Sequence, residues 1–295
     1  MDGLTASSRT RWSAEEAYDY CRTLARSHYE NFTVASWFLP RDKRPHVYAV
    51  YAFCRFVDDL GDEAQGDRLA LLDRWEEELR ACYDGMPTHP IAVALADTIQ
   101  RFSIPMEPFL KLVEANRIDQ RTQRHPTYDD LLFYCDHSAN PVGRLFLYLF
   151  GYWDAERQRL SDATCTALQL ANFWQDVRRD LEMGRIYIPQ EDMVQFGCTE
   201  KQLHEGVADS AFRELMRFEV ERARGLFREG AALVDAVEGI VRLDIALFTE
   251  GGLHILNAIE RQDYDVLSRR PTLSKLARTR LAAGTAIRMK LRGRI

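Results

Sequence analysis

Along almost the whole chain the apolar residues recur at helical intervals, and no period-2 run bounded by turn residues makes a convincing strand. That pattern restricts the chain to an all-α fold. Helix starts and stops are written into it. Ser13-Ala-Glu-Glu16 reads as a capping box, in which the Ser13 hydroxyl and the Glu16 carboxylate satisfy each other's backbone N–H groups, and a helix follows to Ser27. Pro40 and Pro45 break the next stretch, and a second helix runs through Asp62. Residues 67–83 form a third, ended by Asp84-Gly85 and Pro87. Pro105, Pro108 and Pro126 punctuate the middle, and Thr127-Tyr-Asp-Asp130 opens a helix interrupted at Asn140-Pro141. Further helices are expected over 156–183, 208–235, 238–261 and 273–291.

Neither a fixed-period repeat nor a low-complexity linker divides the 295 residues, so one domain over 1–295 is expected, with 1–12 flexible and 270–295 a basic C-terminal helix. The balance of 39 Lys+Arg against 45 Asp+Glu, net −6, argues against a nucleic-acid partner. Six scattered cysteines contain no C-x-x-C pair, which removes the zinc-ribbon and thioredoxin patterns. The opening MDGLTASSRTRW lacks the apolar core of a secretory signal, and no apolar run reaches the ~18 residues needed to span a bilayer. A cytoplasmic protein is expected. No G-x-G-x-x-G turn or phosphate-binding G-x-x-x-x-G-K-[ST] loop is present, so a nicotinamide or nucleoside-triphosphate site has no support.

Two helix faces carry the chemistry. Tyr51, Arg55, Asp58 and Asp62 are spaced i, i+4, i+7, i+11 and form one stripe, with Asp59 and Glu63 beside it. Carboxylates at i, i+4 repel, and a divalent cation between them reverses the sign. A lone D-x-x-x-D is more often a solvated helix end. The second face changes that balance: Asn172, Asp176 and Asp180 share a stripe whose neighbours, Phe173, Trp174 and Val177, are apolar. Two such faces suit Mg²⁺, which takes a few carboxylates and completes its shell with water and phosphate oxygens. Arg55 and Arg185, beside the two motifs, are placed to contact an anion. The implied substrate carries a diphosphate.

The segments Tyr51-Ala-Phe-Cys-Arg-Phe-Val-Asp-Asp-Leu-Gly-Asp62 and Leu168-Gln-Leu-Ala-Asn-Phe-Trp-Gln-Asp-Val-Arg-Arg-Asp180, with Gly184-Arg-Ile-Tyr-Ile-Pro189, resemble the two signatures of squalene and phytoene synthases. His28-Tyr-Glu-Asn-Phe32, Tyr134-Cys135 with Val142-Gly143, and Asp263-Tyr-Asp-Val266 add to the resemblance, which spans 15–270 in the right order. It implies an all-α isoprenoid-synthase bundle with a central cavity. By motif position it also implies Mg²⁺ on Asp58, Asp62, Asp176 and Asp180. Arg55, Tyr51, Asn172 and Arg185 would contact or orient the diphosphate, with Tyr134 nearby and Asn31 and Phe32 on the substrate. Phe32, Phe53 and Tyr134 are candidates to stabilise a carbocation, with core packing as the competing role, more so for Phe53.

Departures from the condensing members point to a branch within the family. Those members commonly carry Arg where this chain has Gln175, Ser-x-Ser-Phe where it has Tyr29-Glu-Asn-Phe32, and Tyr where it has Gly252. Each missing group is a partner for phosphate oxygens, and condensation requires two diphosphates in one cavity. The pattern is most similar to bacterial hydroxysqualene synthases of hopanoid biosynthesis, which ionise presqualene diphosphate and let water capture the rearranged cation. This is a carbon–oxygen lyase reaction on a diphosphate. Gln175 then belongs to the catalytic set. The rival enzyme is a prenyltransferase that joins two prenyl diphosphates to presqualene diphosphate, squalene or phytoene. A non-catalytic assembly protein on the same fold is the other alternative, and retention of all four motif aspartates counts against it. From Val266 to Ile295 there is no acidic residue and nine basic ones, a tail that either docks on the acidic body or contacts an anionic membrane at its inner face.

Overall fold

The computed structural model describes residues 12–27, 39–272 and 275–291. Among them are fourteen helices and no strand, with one isolated bridge between Arg124 and Ile186. The all-α expectation is met. The chain divides into two compact units, 1–121 with 141–153, and 122–140 with 154–295.

The first unit is built on α1 (Ala14–Ser27), α2 (Arg44–Asp62), α3 (Arg68–Asp84), α4 (Pro90–Phe102) and α5 (Glu107–Arg121). The capping box at α1 forms as read, with Ser13 N donating to Glu16 Oε2 at 3.1 Å and Glu16 N to Ser13 Oγ at 3.3 Å. Helices α4 and α5 occupy the middle stretch, for which the sequence implies only breaks. Pro108 sits in the first turn of α5 rather than breaking the chain, as Pro90 does in α4, where a missing N–H removes no intrahelical bond. Helix α2 is the spine. Its Val47, Val50, Phe53, Phe56, Val57 and Leu60 enter a core shared with Trp75, Leu79, Leu95 and Phe109. Phe53 is stacked on Trp75 at 5.8 Å between ring centroids and is 1% exposed, which makes it a core residue. The opposite face of α2 keeps the polar stripe. Residues 141–153, most of α7 (Asn140–Phe150), complete the unit, with Leu145 and Leu149 in the same core.

The second unit is organised around α8 (Ala155–Glu182), a 28-residue helix against which α6 (Tyr128–Ser138), α11 (Ser210–Gly230) and α13 (Gly239–Arg261) pack. Short helices α9 (Gln190–Gln195), α10 (Glu200–Glu205) and α12 (Leu233–Ala236) join them. The Thr127 box closes as read, Asp130 N donating to Thr127 Oγ1 at 3.1 Å and Thr127 N to Asp130 Oδ2 at 3.0 Å. Gly252 has a packing reason: a Cβ there would lie 2.3 Å from Phe227 Cζ and 2.9 Å from Leu168 Cδ2. It lets α13 approach α8 and α11 closely, rather than opening space. The basic α14 (Lys275–Leu291) packs on α13, and Arg288 pairs with Glu250 at 3.1 Å, while Arg280 and Ile287 face water. No helix among the described residues is long and apolar enough to cross a membrane.

Candidate active site

In the first unit, the end of α2 displays Tyr51, Arg55, Asp58 and Asp62 on the face turned away from its core. Arg55 reaches along its own helix to Asp59 and to Glu63, the latter at 2.8 Å, so part of its charge is already met by carboxylates the stripe placed beside it. Its buried Nε has no hydrogen-bond partner. Asp58 Oδ1 accepts from Asn116 Nδ2 at 3.3 Å. Water reaches Asp58, yet enough protein surrounds it that desolvation, with Asp62 and Asp59 nearby, pushes its carboxyl up to about 6. Burial likewise raises the Tyr51 hydroxyl.

In the second unit, Asn172, Asp176 and Asp180 follow one another along α8. Asp176 is held by a fork from Arg270, whose Nε meets Oδ1 and whose Nη2 lies 2.9 Å from Oδ2. The neighbouring pair repeats the link: Gln175 Nε2 donates to the Pro271 carbonyl at 2.5 Å. One helical turn on, Arg178 Nη1 donates to Leu267 O at 3.3 Å. Residues 267–271 are thereby strapped along α8. Loss of solvent and the Asp176 charge push the Asp180 carboxyl up to about 7, against the opposing effects of Arg185, Arg179 and Arg270.

Two residues past the end of α8, Gly184 turns the chain at φ +82°, and Arg185 N closes back on Asp180 O at 2.8 Å, which fixes the Arg185 backbone beside the second aspartate. Phe173, Val177, Asp180, Arg185, Ile186, Tyr187 and Ile188 line a narrow recess. Tyr187 lies flat on Phe173 at 3.9 Å and 10°, with Tyr134 5.8 Å and His125 5.6 Å from the Tyr187 ring. The loop is stitched to 123–126 through its main chain, Ile186 N to Gln123 O at 3.0 Å, Gln190 N to His125 O at 2.9 Å and Glu191 N to Pro126 O at 3.0 Å. Arg124 adds bonds to Gly184 O at 2.6 Å and to Glu200 at 2.9 Å.

Behind that loop, Asp192 and Glu219 are both buried and share Arg222, which lies 2.5 Å from Asp192 Oδ2 and 3.6 Å from Glu219 Oε1. The guanidinium is sandwiched by Tyr128 at 4.2 Å and Phe218 at 4.1 Å. Two carboxylates facing one cation cannot both be ionised cheaply. Burial first, then the Asp192 charge, pushes Glu219 up to about 9.

The donor sets fit a divalent cation. Each face offers two carboxylates one turn apart; burial first, and then the neighbouring aspartates, hold Asp58 and Asp180 above the usual range, and a guanidinium already occupies Asp176. Among the described residues no three His, Cys, Asp or Glu converge into a preformed cage. Mg²⁺ needs none, since it commonly rests on one or two carboxylates plus substrate phosphate. Burial raises the Cys54 and Cys135 thiols, which suits small core residues rather than nucleophiles.

Of the expected site residues, the structure gathers Tyr51, Arg55, Asp58 and Asp62 on α2, and Tyr134, Asn172, Gln175, Asp176, Asp180 and Arg185 in the second unit. Asn31 and Phe32, with the rest of His28–Phe32, lie outside the described residues. Sequence reasoning missed Arg270 as a partner of Asp176, Tyr187 as the ring on Phe173, and Asn116 beside Asp58. Tyr187 was visible inside the G-R-x-Y-x-P segment; the other two pair across long separations that no spacing announces.

The chain matches the squalene/phytoene synthase family model over residues 25–277. It is 34% identical to a phytoene synthase of Arthrospira platensis, over 91% of this chain and 93% of the relative, and 33% identical to a 15-cis-phytoene synthase of Synechococcus elongatus, over 91% and 93%. Among solved structures, squalene synthase HpnC from Alicyclobacillus acidocaldarius superposes with a TM-score of 0.83 at 52% identity, covering 85% of this chain and 95% of that one. A ligand-bound dehydrosqualene synthase superposes at 0.85 with 28% identity, covering 94% and 98%.

Proposed function

The chain belongs to the squalene/phytoene synthase family, and on that premise we propose that it ionises presqualene diphosphate and directs water onto the rearranged cation, releasing hydroxysqualene and diphosphate. Gln175 carries this reading beyond the family. Its amide is spent on the Pro271 carbonyl, so the position where condensing members commonly hold an arginine offers no cation to a second diphosphate. The position of their tyrosine, Gly252, is closed by Phe227 and Leu168. A substrate already joined brings one diphosphate and needs fewer contacts. The 52% identity to a protein named squalene synthase HpnC favours the squalene side of the family over the phytoene side.

Mg²⁺ held by Asp58, Asp62, Asp176 and Asp180 would supply Lewis-acid neutralisation of the leaving group. Arg55 and Arg185 contribute fixed positive charge toward phosphate oxygens, and Tyr51 and Asn172 orient them. The C–O bond breaks with its electron pair leaving on diphosphate. Tyr134, stacked on Tyr187, which in turn lies on Phe173, presents an aromatic face to the cation and restricts water. One water oxygen forms the new C–O bond and its proton passes to solvent. The exposed face of α14 rests on an anionic membrane at the cytoplasmic side, where a water-insoluble product must go.

The test is purified protein with Mg²⁺ and presqualene diphosphate in ¹⁸O-water without nicotinamide. An alcohol carrying ¹⁸O is expected, and its loss in Asp176→Asn ties it to the motif. Head-to-head condensation of two prenyl diphosphates is favoured by the 33–34% identical relatives named phytoene synthases. Release of two diphosphates per product from farnesyl diphosphate alone would move the assignment there.

A further inference from the structure

Helix α5 meets the end of α2 at Asn116. The Asn116 side chain is buried, and its Nδ2 is shared between Asp58 Oδ1 and Leu112 O, each at 3.3 Å. Two acceptors on one side of the amide settle which end is nitrogen. Its oxygen end lies against Gly61, where an added Cβ would stand 2.1 Å from Asn116 Oδ1 and 2.9 Å from Cγ. One turn further along α5, Gln120 Nε2 donates to Gly61 O at 2.9 Å and to Asn116 O at 3.3 Å. Two amides of α5 therefore grip the turn of α2 between Asp58 and Asp62. Gly61 sits in the last turn of α2, and the approach of Asn116 leaves no room for a Cβ there.

We propose that Asn116 is a positioning residue that orients Asp58 for divalent-cation binding, with Gly61 supplying the space it occupies. The proposal rests on the reading of Asp58 as a metal ligand. A neutral donor suits the task. It fixes one carboxylate oxygen and leaves the other for a cation, whereas Lys or Arg would compete with the metal. Partners of this kind commonly set metal affinity by 10–100-fold.

The test is binding of Mn²⁺ alone to the full chain, read by the electron paramagnetic resonance of free Mn²⁺, with the thermal midpoint recorded metal-free. Asp58→Asn, Asn116→Ala and Gly61→Ala should each weaken binding, the last two by about 10-fold. The double variant Gly61→Ala with Asn116→Ala should bind no more weakly than the weaker single variant, because removing the amide frees the space that the new Cβ needs. Gly61→Ala touches neither Asp58 nor Asn116 chemically, so it tests positioning even if Asn116→Ala lowers the midpoint. Wild-type affinity in both Asn116→Ala and Gly61→Ala, with Asp58→Asn weakened, overturns the proposal and leaves the ligand reading intact. Undiminished binding in Asp58→Asn refutes the ligand reading itself, and the proposal with it.

Discussion

Replacing Glu219 with glutamine should make the protein progressively more stable than wild type as pH rises. Glu219 is fully buried beside Asp192, faces Arg222 and Tyr128, and keeps its proton up to about 9 in the folded chain, while an unfolded glutamate releases it near its ordinary value of 4.5. Between those limits the folded state binds one proton more than the unfolded state. Wild-type stability from this group is therefore fully present at low pH and lost on the way up to about 9. The slope is about 1.4 kcal/mol per pH unit, so from pH 5.5 to 7.5 the difference between Glu219→Gln and wild type should grow by about 3 kcal/mol. Any fixed cost of the substitution cancels, because glutamine does not titrate. Urea unfolding of both proteins at pH 5.5, 6.5 and 7.5 and constant ionic strength measures it, and 3 kcal/mol corresponds to a midpoint difference of roughly 1 M. A difference that stays constant within about 0.5 kcal/mol means that Glu219 is ionised in the folded chain, and the shared-cation reading of the pair is refuted.

Two further outcomes follow from packing and charge. Gly252→Ala should cost about 1–3 kcal/mol, seen as a lower thermal midpoint by circular dichroism, because its Cβ meets the ring of the fully buried Phe227; an unchanged midpoint would show that α11 and α13 have slack there. Truncation after Arg270 should reduce binding to anionic vesicles and leave little salt-sensitive binding, at about 1 kcal/mol per basic residue near the surface. Equal binding of the full chain to neutral vesicles would assign the tail to packing alone.

Local signals were legible and long-range ones were not. The Ser13 and Thr127 boxes form with the residues that announce them, because a cap is decided within four positions. Pro108 misled the reading of the middle, since proline starts a helix as readily as it stops one. The aspartate stripes were visible by spacing, and their place on two long helices follows from it. What surrounds them was hidden: Arg270 reaches Asp176 across 94 positions and Asn116 reaches Asp58 across 58, separations fixed by how helices pack. Gly252 shows the same limit. The sequence marks it only as a missing tyrosine, and the positions of Phe227 and Leu168 show that it serves close helix packing.

The stitching of residues 186–191 to 123–126 runs through main-chain bonds. Such a frame prescribes the path of the chain and is indifferent to most of the side chains it carries. Substitutions at Ile186 or Ile188 can therefore change the lining of the recess while the loop keeps its course. A lineage can in this way explore new products one residue at a time, without first losing the scaffold on which the old product depended.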